Sequence, residues 1–474
     1  LEKGQYNVTS KEKTLTVIPS DSSKWTVLLI VNMGTFMSTL DVGIVNISMP
    51  TMSLQLGISL AQIQWIATSY LLVMAALLPF FGRLSDIWSR RKVYGLGFLL
   101  FAAGSLCAAL SSGLAAIIAS RCLQGIGAAM IMANSQAMVR QVFPEHERGR
   151  ALGLNAVVIA AGTLMGPAAG GLVLSWAAWQ WLFWINVPIG LSAFLLGLRL
   201  FPRESVRSAG ARLDIAGTLL LALGTILLLL AADTASGSTS PMAAVEAAGG
   251  VAVLIVLALY GRRVQSGILD RALLSVRTVR LGNLSSFLIN MALSASLIPI
   301  TFYLQGPLRL PVAAAGGVLM AQPLLVGIVA PFAGSFRDRH GSLIPIAGGA
   351  ACCALSMLFI ACMPQITVWA IVLQLVLFGI GTGLFHSANN ADIMSAAPDG
   401  KISLAGSLLA MVRYFGQIAG IGLAALLLGQ LNLEAGASVK GELRLRILFG
   451  LCFLACLGAA IAAYRLRHPR VIKR

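Results

Sequence analysis

Apolar runs of about twenty residues recur fourteen times in this chain, each long enough to cross the hydrocarbon core of a bilayer as a helix. No water-soluble fold accommodates that pattern. A soluble chain of 474 residues divides into two or three domains with polar surfaces, whereas here 58% of the residues are hydrophobic and only 11% are charged. The runs cover residues 25–49, 62–82, 93–112, 114–139, 150–174, 181–201, 212–232, 243–262, 278–304, 313–335, 342–363, 367–391, 402–429 and 445–465. An all-α membrane protein with fourteen transmembrane helices is expected.

The basic residues orient these spans. A net charge of +17 first suggests nucleic acid, but the positions of the charges exclude it, because they sit in short loops on alternate sides of the spans. One face takes residues 1–24, 83–92, 140–150, 199–212, 262–280, 336–341, Lys401 and the tail from Arg465. That face holds all but six of the 34 Lys and Arg residues. Arg309, Lys440, Arg444 and Arg446 fall on the other face, and Arg121 and Arg413 fall inside the spans. The asymmetry places both termini in the cytoplasm of a cell membrane and supports an even number of spans. Tryptophans agree, with Trp65, Trp176, Trp179, Trp181 and Trp369 near outer span ends and Trp25 and Trp88 near inner ones, as an aromatic belt requires. The seven cysteines all fall within apolar runs and show no metal-ligand or disulfide spacing, so no metal site is expected. Residues 1–24 are polar and lack the apolar core of a signal peptide.

Asp41 is the acid most clearly inside the membrane. A carboxylate at that depth costs about 2.5–3.5 kcal/mol on insertion scales, so it faces a cavity or a partner. Its two readings are a structural acid satisfied by a neighbouring helix and a protonation or cation site. Asn32, Thr35, Thr39 and Asn46 give the same span a sparse polar stripe. Arg121, in Arg121-Cys122-Leu123-Gln124-Gly125-Ile126-Gly127, lies too deep to snorkel. Counting about 1.5 Å per residue from the cytoplasmic ends puts it at the depth of Asp41, and the two are expected partners.

Two loops repeat a pattern. Gly82-Arg83-Leu84-Ser85-Asp86-Ile87-Trp88-Ser89-Arg90-Arg91-Lys92 follows the second span, and Gly334 to Gly341, with Arg337 and Asp338, is a weaker copy. Each follows the second helix of a six-helix set once residues 212–262 are treated as an insertion, the mark of two repeated halves around a midplane site. A simple positive-inside turn needs neither Gly82 nor Asp86. The acid among Arg83, Arg90 and Arg91 suits a latch on the cytoplasmic helix ends. In the fifth span, Gly162, Gly166 and Gly170 share one face, with Gly171 beside them, and Pro167 removes a backbone donor and kinks the helix.

These stretches resemble the major facilitator superfamily, and specifically its fourteen-span drug/proton antiporters. Gly82 to Lys92 looks like the signature loop, Arg121 to Gly127 like the fourth-helix motif, and Gly162 to Gly171 like the fifth-helix motif associated with antiporters. Leu40 to Pro50 is similar to the first-helix pattern of drug exporters, and Trp179 to Gly190 to the start of helix six, with Gln180 in place of the usual arginine. The resemblance spans Trp25 to Tyr464. It implies residues 25–201 and 278–465 as two six-helix bundles, 202–277 as an inserted two-helix segment with linkers, and 466–474 as a basic cytoplasmic tail.

The second half is less explicit. Asn290, Tyr303 and Gln305 lie on or beside the ninth span, and His386, Asn389, Asn390 and Asp392 on or beside the twelfth. Arg413 and Gln417 lie on the thirteenth. These residues, except Gln305, Asp392 and Arg413, join the first-span stripe as candidate substrate contacts. His386 reads first as a hydrogen-bonded structural residue and Asp392 as a solvated one. Arg413 either bonds a loop acid such as Asp86, as part of the latch, or lines the cavity. The inserted pair reads as packing or lipid contact.

The resemblance implies a proton-driven multidrug efflux antiporter of the kind that confers antibiotic resistance. Its partners are a small amphiphilic compound, protons and the bilayer, with no cofactor and no nucleic acid, and the chain is expected to act as a monomer. Asp41 would carry the proton, with Arg121 biasing its charge state. A sparse acidic complement fits neutral or singly charged cargo better than dications. A lipid or metabolite exporter on the same scaffold is the alternative. A membrane-embedded enzyme would need a nucleophile/base or metal cluster, and a channel would need rings of charge or a carbonyl filter; neither is present in the sequence, nor is a Walker loop for ATP.

Overall fold

A computed structural model of the chain describes residues 21–201, 214–237, 241–263, 271–398, 402–428 and 439–465. The two expected tails lie largely outside the described residues. Among the described residues the secondary structure is helical throughout, and fourteen helical segments are long and apolar enough to cross a membrane.

The first half comprises α1 (Asp21–Leu56), α2 (Leu60–Ile87), α3 (Arg90–Ala109), α4 (Leu114–Val142), α5 (Glu145–Trp176), α6 (Trp181–Trp184) and α7 (Asn186–Leu200). Then come α8 (Ile215–Gly237), α9 (Pro241–Arg263) and the short α10 (Arg271–Ser275). The second half comprises α11 (Arg277–Gln305), α12 (Val312–Leu319), α13 (Ala321–His340), α14 (Leu343–Cys362), α15 (Val368–Ser395), α16 (Ile402–Leu428) and α17 (Val439–Tyr464). Helix α1 packs along α5, and α4 packs along both α2 and α3. In the second half α11 packs along α16, and α14 along α15 and α17. The halves meet where α2 lies against α16 and where α5 lies against α12.

Two expected spans are each broken into two helices. In the sixth, the break at Ile185 comes three residues before Pro188, which has no N–H to offer the carbonyl of Trp184. In the tenth, the break at Met320 precedes Pro323, which leaves the carbonyl of Leu319 unserved in the same way. Both breaks lie within the apolar run, so hydropathy alone reads straight through them. At the opposite kind of boundary, Ser59 and Gln62 form a reciprocal capping box that starts α2 cleanly after the Gly57 turn.

The inserted helices α8 and α9 pack on each other, and α8 rests against α2 and α16. Only 11% of the apolar window of α9 is buried, which leaves most of that helix facing outward. The aromatic belt needs one correction. Trp176, Trp181 and Trp369 are exposed, but Trp179 is only 2% exposed, with its ring 6.1 Å from Phe183 in an edge-on contact. Trp179 is a packing residue, because the tight turn before α6 folds it inward.

Candidate functional site

Asp41 and Arg121 are each 1% exposed, and Arg121 donates from Nη1 to Asp41 Oδ2 at 2.5 Å. The guanidinium also donates from Nε to the Ile66 carbonyl at 3.0 Å and from Nη1 to Gln124 Oε1 at 2.8 Å. Gln124, one turn further along α4, donates from Nε2 to Asp41 Oδ1 at 3.4 Å and to Ser105 Oγ at 2.7 Å. Asn186, the first residue of α7, donates from Nδ2 to Asp41 Oδ1 at 3.2 Å. The guanidinium lies over the ring of Tyr70, with Cζ 4.2 Å from its centroid, and 5.9 Å from the centroid of Phe183. Every polar group reaching the carboxylate is a donor, so the arrangement satisfies an ionised acid. Removing one partner of such a pair strands a buried charge at a cost of about 3–5 kcal/mol.

The pairing of Asp41 with Arg121 follows from depth. Its ring of neighbours does not. Gln124 and Asn186 stand in stretches whose character the sequence announces, and their place deep in apolar runs was the available signal. Ser105 carried none, since a lone serine in a membrane helix usually bonds its own backbone.

A cavity of about 1000 Å³ lies between the two halves. Helix α1 turns Ser38, Thr39, Val42, Gly43 and Asn46 toward it, while Asp41 points the other way, into the first half. Pro50 and Pro167 leave the carbonyls of Asn46 and Thr163 without their helical donors, both on cavity-lining residues. The cavity reaches Arg90 and Gln141, which lie at the basic-face ends of α3 and α4. The opposite end is sealed by close backbone contact. A Cβ placed on Gly171 would sit 2.7 Å from the Val312 carbonyl oxygen, and one on Gly316 would collide with the Pro167 carbonyl oxygen. Gln305 adds a bond across the same end, from Nε2 to the Ile47 carbonyl at 3.0 Å.

The structure divides the expected cavity residues. Thr39, Asn46, Asn290, His386 and Gln417 line it. Asn32 and Thr35 do not, because Asn155 draws them inward, donating to Asn32 Oδ1 at 2.9 Å and to Thr35 Oγ1 at 3.2 Å, with Ser135 beside them. Asn389 is buried between helices, donating to Ser286 Oγ at 3.0 Å and to the Gly282 carbonyl at 3.2 Å. Tyr303 lies at the far end of α11, within electrostatic reach of Glu442 and Arg446. Asn390 is half-buried outside the cavity wall, and its Oδ1 accepts no hydrogen bond among the described residues.

The expected latch falls only partly within the described residues. The side chains of Asp86 and Asp338 lie outside the described residues. Arg90 and Arg413 line the cavity, and Arg91 donates from Nη2 to the Leu198 carbonyl. Arg83 is half-buried near the end of α2, and a Cβ on Gly82 would meet only Ala133 at 4.0 Å, so packing does not require that glycine. Asp392 is not solvated. It is 8% exposed and accepts from Arg337 Nε at 3.0 Å, because α13 brings its second-loop arginine alongside α15. His386 makes no hydrogen bond through Nδ1 among the described residues, contrary to the structural role expected of it.

The small face of α5 packs within the first half. A Cβ on Gly166 would lie 2.8 Å from the Gly43 Cα, one on Gly170 would lie 2.6 Å from Ile47 Cγ2, and one on Gly162 would collide with Thr39 Oγ1. Gly171, one residue off that face, meets the second half instead.

Fourteen membrane helices around a central cavity that reaches one face define a membrane carrier. The Major Facilitator Superfamily description matches residues 31–421, and the chain belongs to that family of transporters. It is 34% identical over 391 residues to the riboflavin transporter RibZ of Clostridioides difficile, covering 82% of this chain and 85% of that one. It is 33% identical over 421 residues to a protein of Escherichia fergusonii named as the multidrug resistance protein MdtD, covering 86% and 87% of the two chains. The crystal structure of a peptide transporter shares the fold at a TM-score of 0.68 and 15% identity, over 93% of this chain and 94% of that one.

Proposed function

We propose that the chain is a proton-coupled antiporter that exports amphiphilic organic compounds by alternating access, with both termini cytoplasmic in the cell membrane. The observation that carries the reading is the double duty of α1. One face of it lines the cavity through Thr39, Gly43 and Asn46, and the other holds Asp41 against Arg121. Movement of α1 as cargo enters therefore acts directly on the ion pair. Protonation of Asp41 from outside removes the charge that holds Arg121, and its return to the paired state releases the proton inside. The cavity, reaching the basic face, is then the loading state. Relatives named for riboflavin transport and for multidrug resistance support an organic, partly aromatic cargo.

The test is proton release. Purified protein in weakly buffered detergent, given a panel of hydrophobic compounds, should acidify its medium on binding at least one of them. Binding of compounds with no proton released in any case would remove the coupling. Orientation is tested separately. Single cysteines at Ser112, in the turn between α3 and α4, and at His340, at the end of α13, should react in a cysteine-free background. An impermeant reagent outside intact cells should reach only the first. Labelling of both from outside would break the assignment of faces.

A further inference from the structure

Among the described residues that line the cavity, the ionisable side chains are Arg90 at its basic-face mouth, Arg413 and His386, and none is an Asp or Glu. Asp41, the acid nearest in sequence to the α1 wall, is turned away and already satisfied by Arg121, Gln124 and Asn186. Arg413 sits near the middle of α16, and among the described residues it forms no hydrogen bond and no ion pair. An arginine held at mid-membrane without a counter-ion is costly and is kept where a cavity and a ligand give it a partner. Two further groups form no hydrogen bond among the described residues: the Gln417 carboxamide one turn along the same helix, and Nδ1 of His386 on α15. The cavity face of α2, which packs against α16, is apolar, with Leu71, Met74 and Leu78 in a row.

We propose that the cavity takes an amphiphile carrying one anionic oxyanion group, with Arg413 as its counter-ion, and rejects cationic amphiphiles. The planar guanidinium offers a fork of donors that a carboxylate or sulfonate accepts in two parallel bonds. The carboxamide of Gln417 serves a second acceptor, and the apolar α2 face takes the hydrophobic body. A cation in the same place meets Arg413 with no carboxylate to offset it, which is an exclusion built from repulsion. The inference rests on the transporter reading and narrows its cargo.

Three probes with one hydrophobic body decide it: 1-pyrenebutyrate, its carboxamide, and the matching trimethylammonium compound. Equilibrium dialysis against the purified protein, with empty micelles as the blank, should rank the anion roughly ten- to hundred-fold tighter than the amide, as a charge-assisted pair predicts, and the cation weakest. In Arg413→Gln the ratio of anion to amide affinity should fall to about one, while Arg413→Lys should keep part of it. A cation bound as tightly as the anion, an anion preference unchanged in Arg413→Gln, or no binding of any probe would each overturn the proposal. Counterflow in proteoliposomes separates this failure from failure of the transporter reading. Movement of the cationic probe with no preference for the anion leaves a carrier with the wrong cargo assigned. Probes that bind and never cross leave no carrier.

Discussion

Asp41→Asn is expected to reduce transport driven by a pH gradient to background. The amide keeps the shape and a hydrogen-bonding group but cannot alternate between charged and neutral forms. That loss alone is ambiguous, because the substitution also leaves Arg121 buried without its carboxylate, a defect of about 3–5 kcal/mol in stability. The double variant Asp41→Asn with Arg121→Gln resolves the ambiguity. It removes both charges together, so the stability lost by either single variant should largely return, a strongly non-additive result for two groups in direct contact. Gradient-driven transport should not return with it. Thermal unfolding in detergent and uptake into proteoliposomes, measured on the wild type and the three variants, give the two readouts. A stable double variant that still releases protons when cargo binds would place the coupling elsewhere, and Asp392 with Arg337 is the next ion pair to test. If the double variant is as unstable as the singles, the network of Gln124, Ser105 and Asn186 depends on the charges, and the pair is structural.

The sequence exposes the helices far better than it exposes their faces. Apolar length gives the spans, because it follows from the bilayer and needs no knowledge of packing, and the alternation of basic loops predicts the direction that the cysteine labelling tests. Asp41 and Arg121 are legible for the same reason: charge at equal depth in an apolar run demands a partner. Rotation about each helix axis is another matter. A membrane helix that touches lipid, protein and cavity is apolar on all three sides, so the periodicity that orients an amphipathic helix in water is faint. Thr35 and Thr39 are one turn apart and read alike, yet only Thr39 faces the cavity, while Thr35 bonds Ser135 at 3.1 Å. Asn389 and His386 diverge in the same manner on α15. Asp392 departs from the solvated place expected of it because proximity to a helix end says nothing about a neighbouring arginine on α13, which only the pairing of helices supplies. The breaks before Pro188 and Pro323 were legible in principle, through the carbonyl each proline leaves unserved.

Two glycines five residues apart on α5 should fail in opposite ways. Gly166 meets Gly43 inside the first half, and leucine there has no room, since even a Cβ would sit 2.8 Å from the Gly43 Cα. Overpacking of this kind costs about 1–3 kcal/mol or more, and Gly166→Leu should lower the unfolding temperature and the yield of folded protein. Gly171 meets the backbone of α12 across the boundary between halves. Gly171→Leu should leave each half intact and instead prevent the end opposite the basic face from closing. The stability cost falls on one conformation only, so the equilibrium shifts toward an outward-open state. A single cysteine at Asn46, inside the cavity on α1, reports that shift. In a cysteine-free background it should be slow to react with an impermeant maleimide added outside, and adding Gly171→Leu should make it fast. Transport should fall to background, because a carrier that cannot close its outer end cannot complete the cycle. Protection of the Asn46 cysteine in the Gly171→Leu background would mean that the close contact of α5 with α12 is not the outer seal, and Gln305 on the Ile47 carbonyl would then be the contact left to hold that end shut.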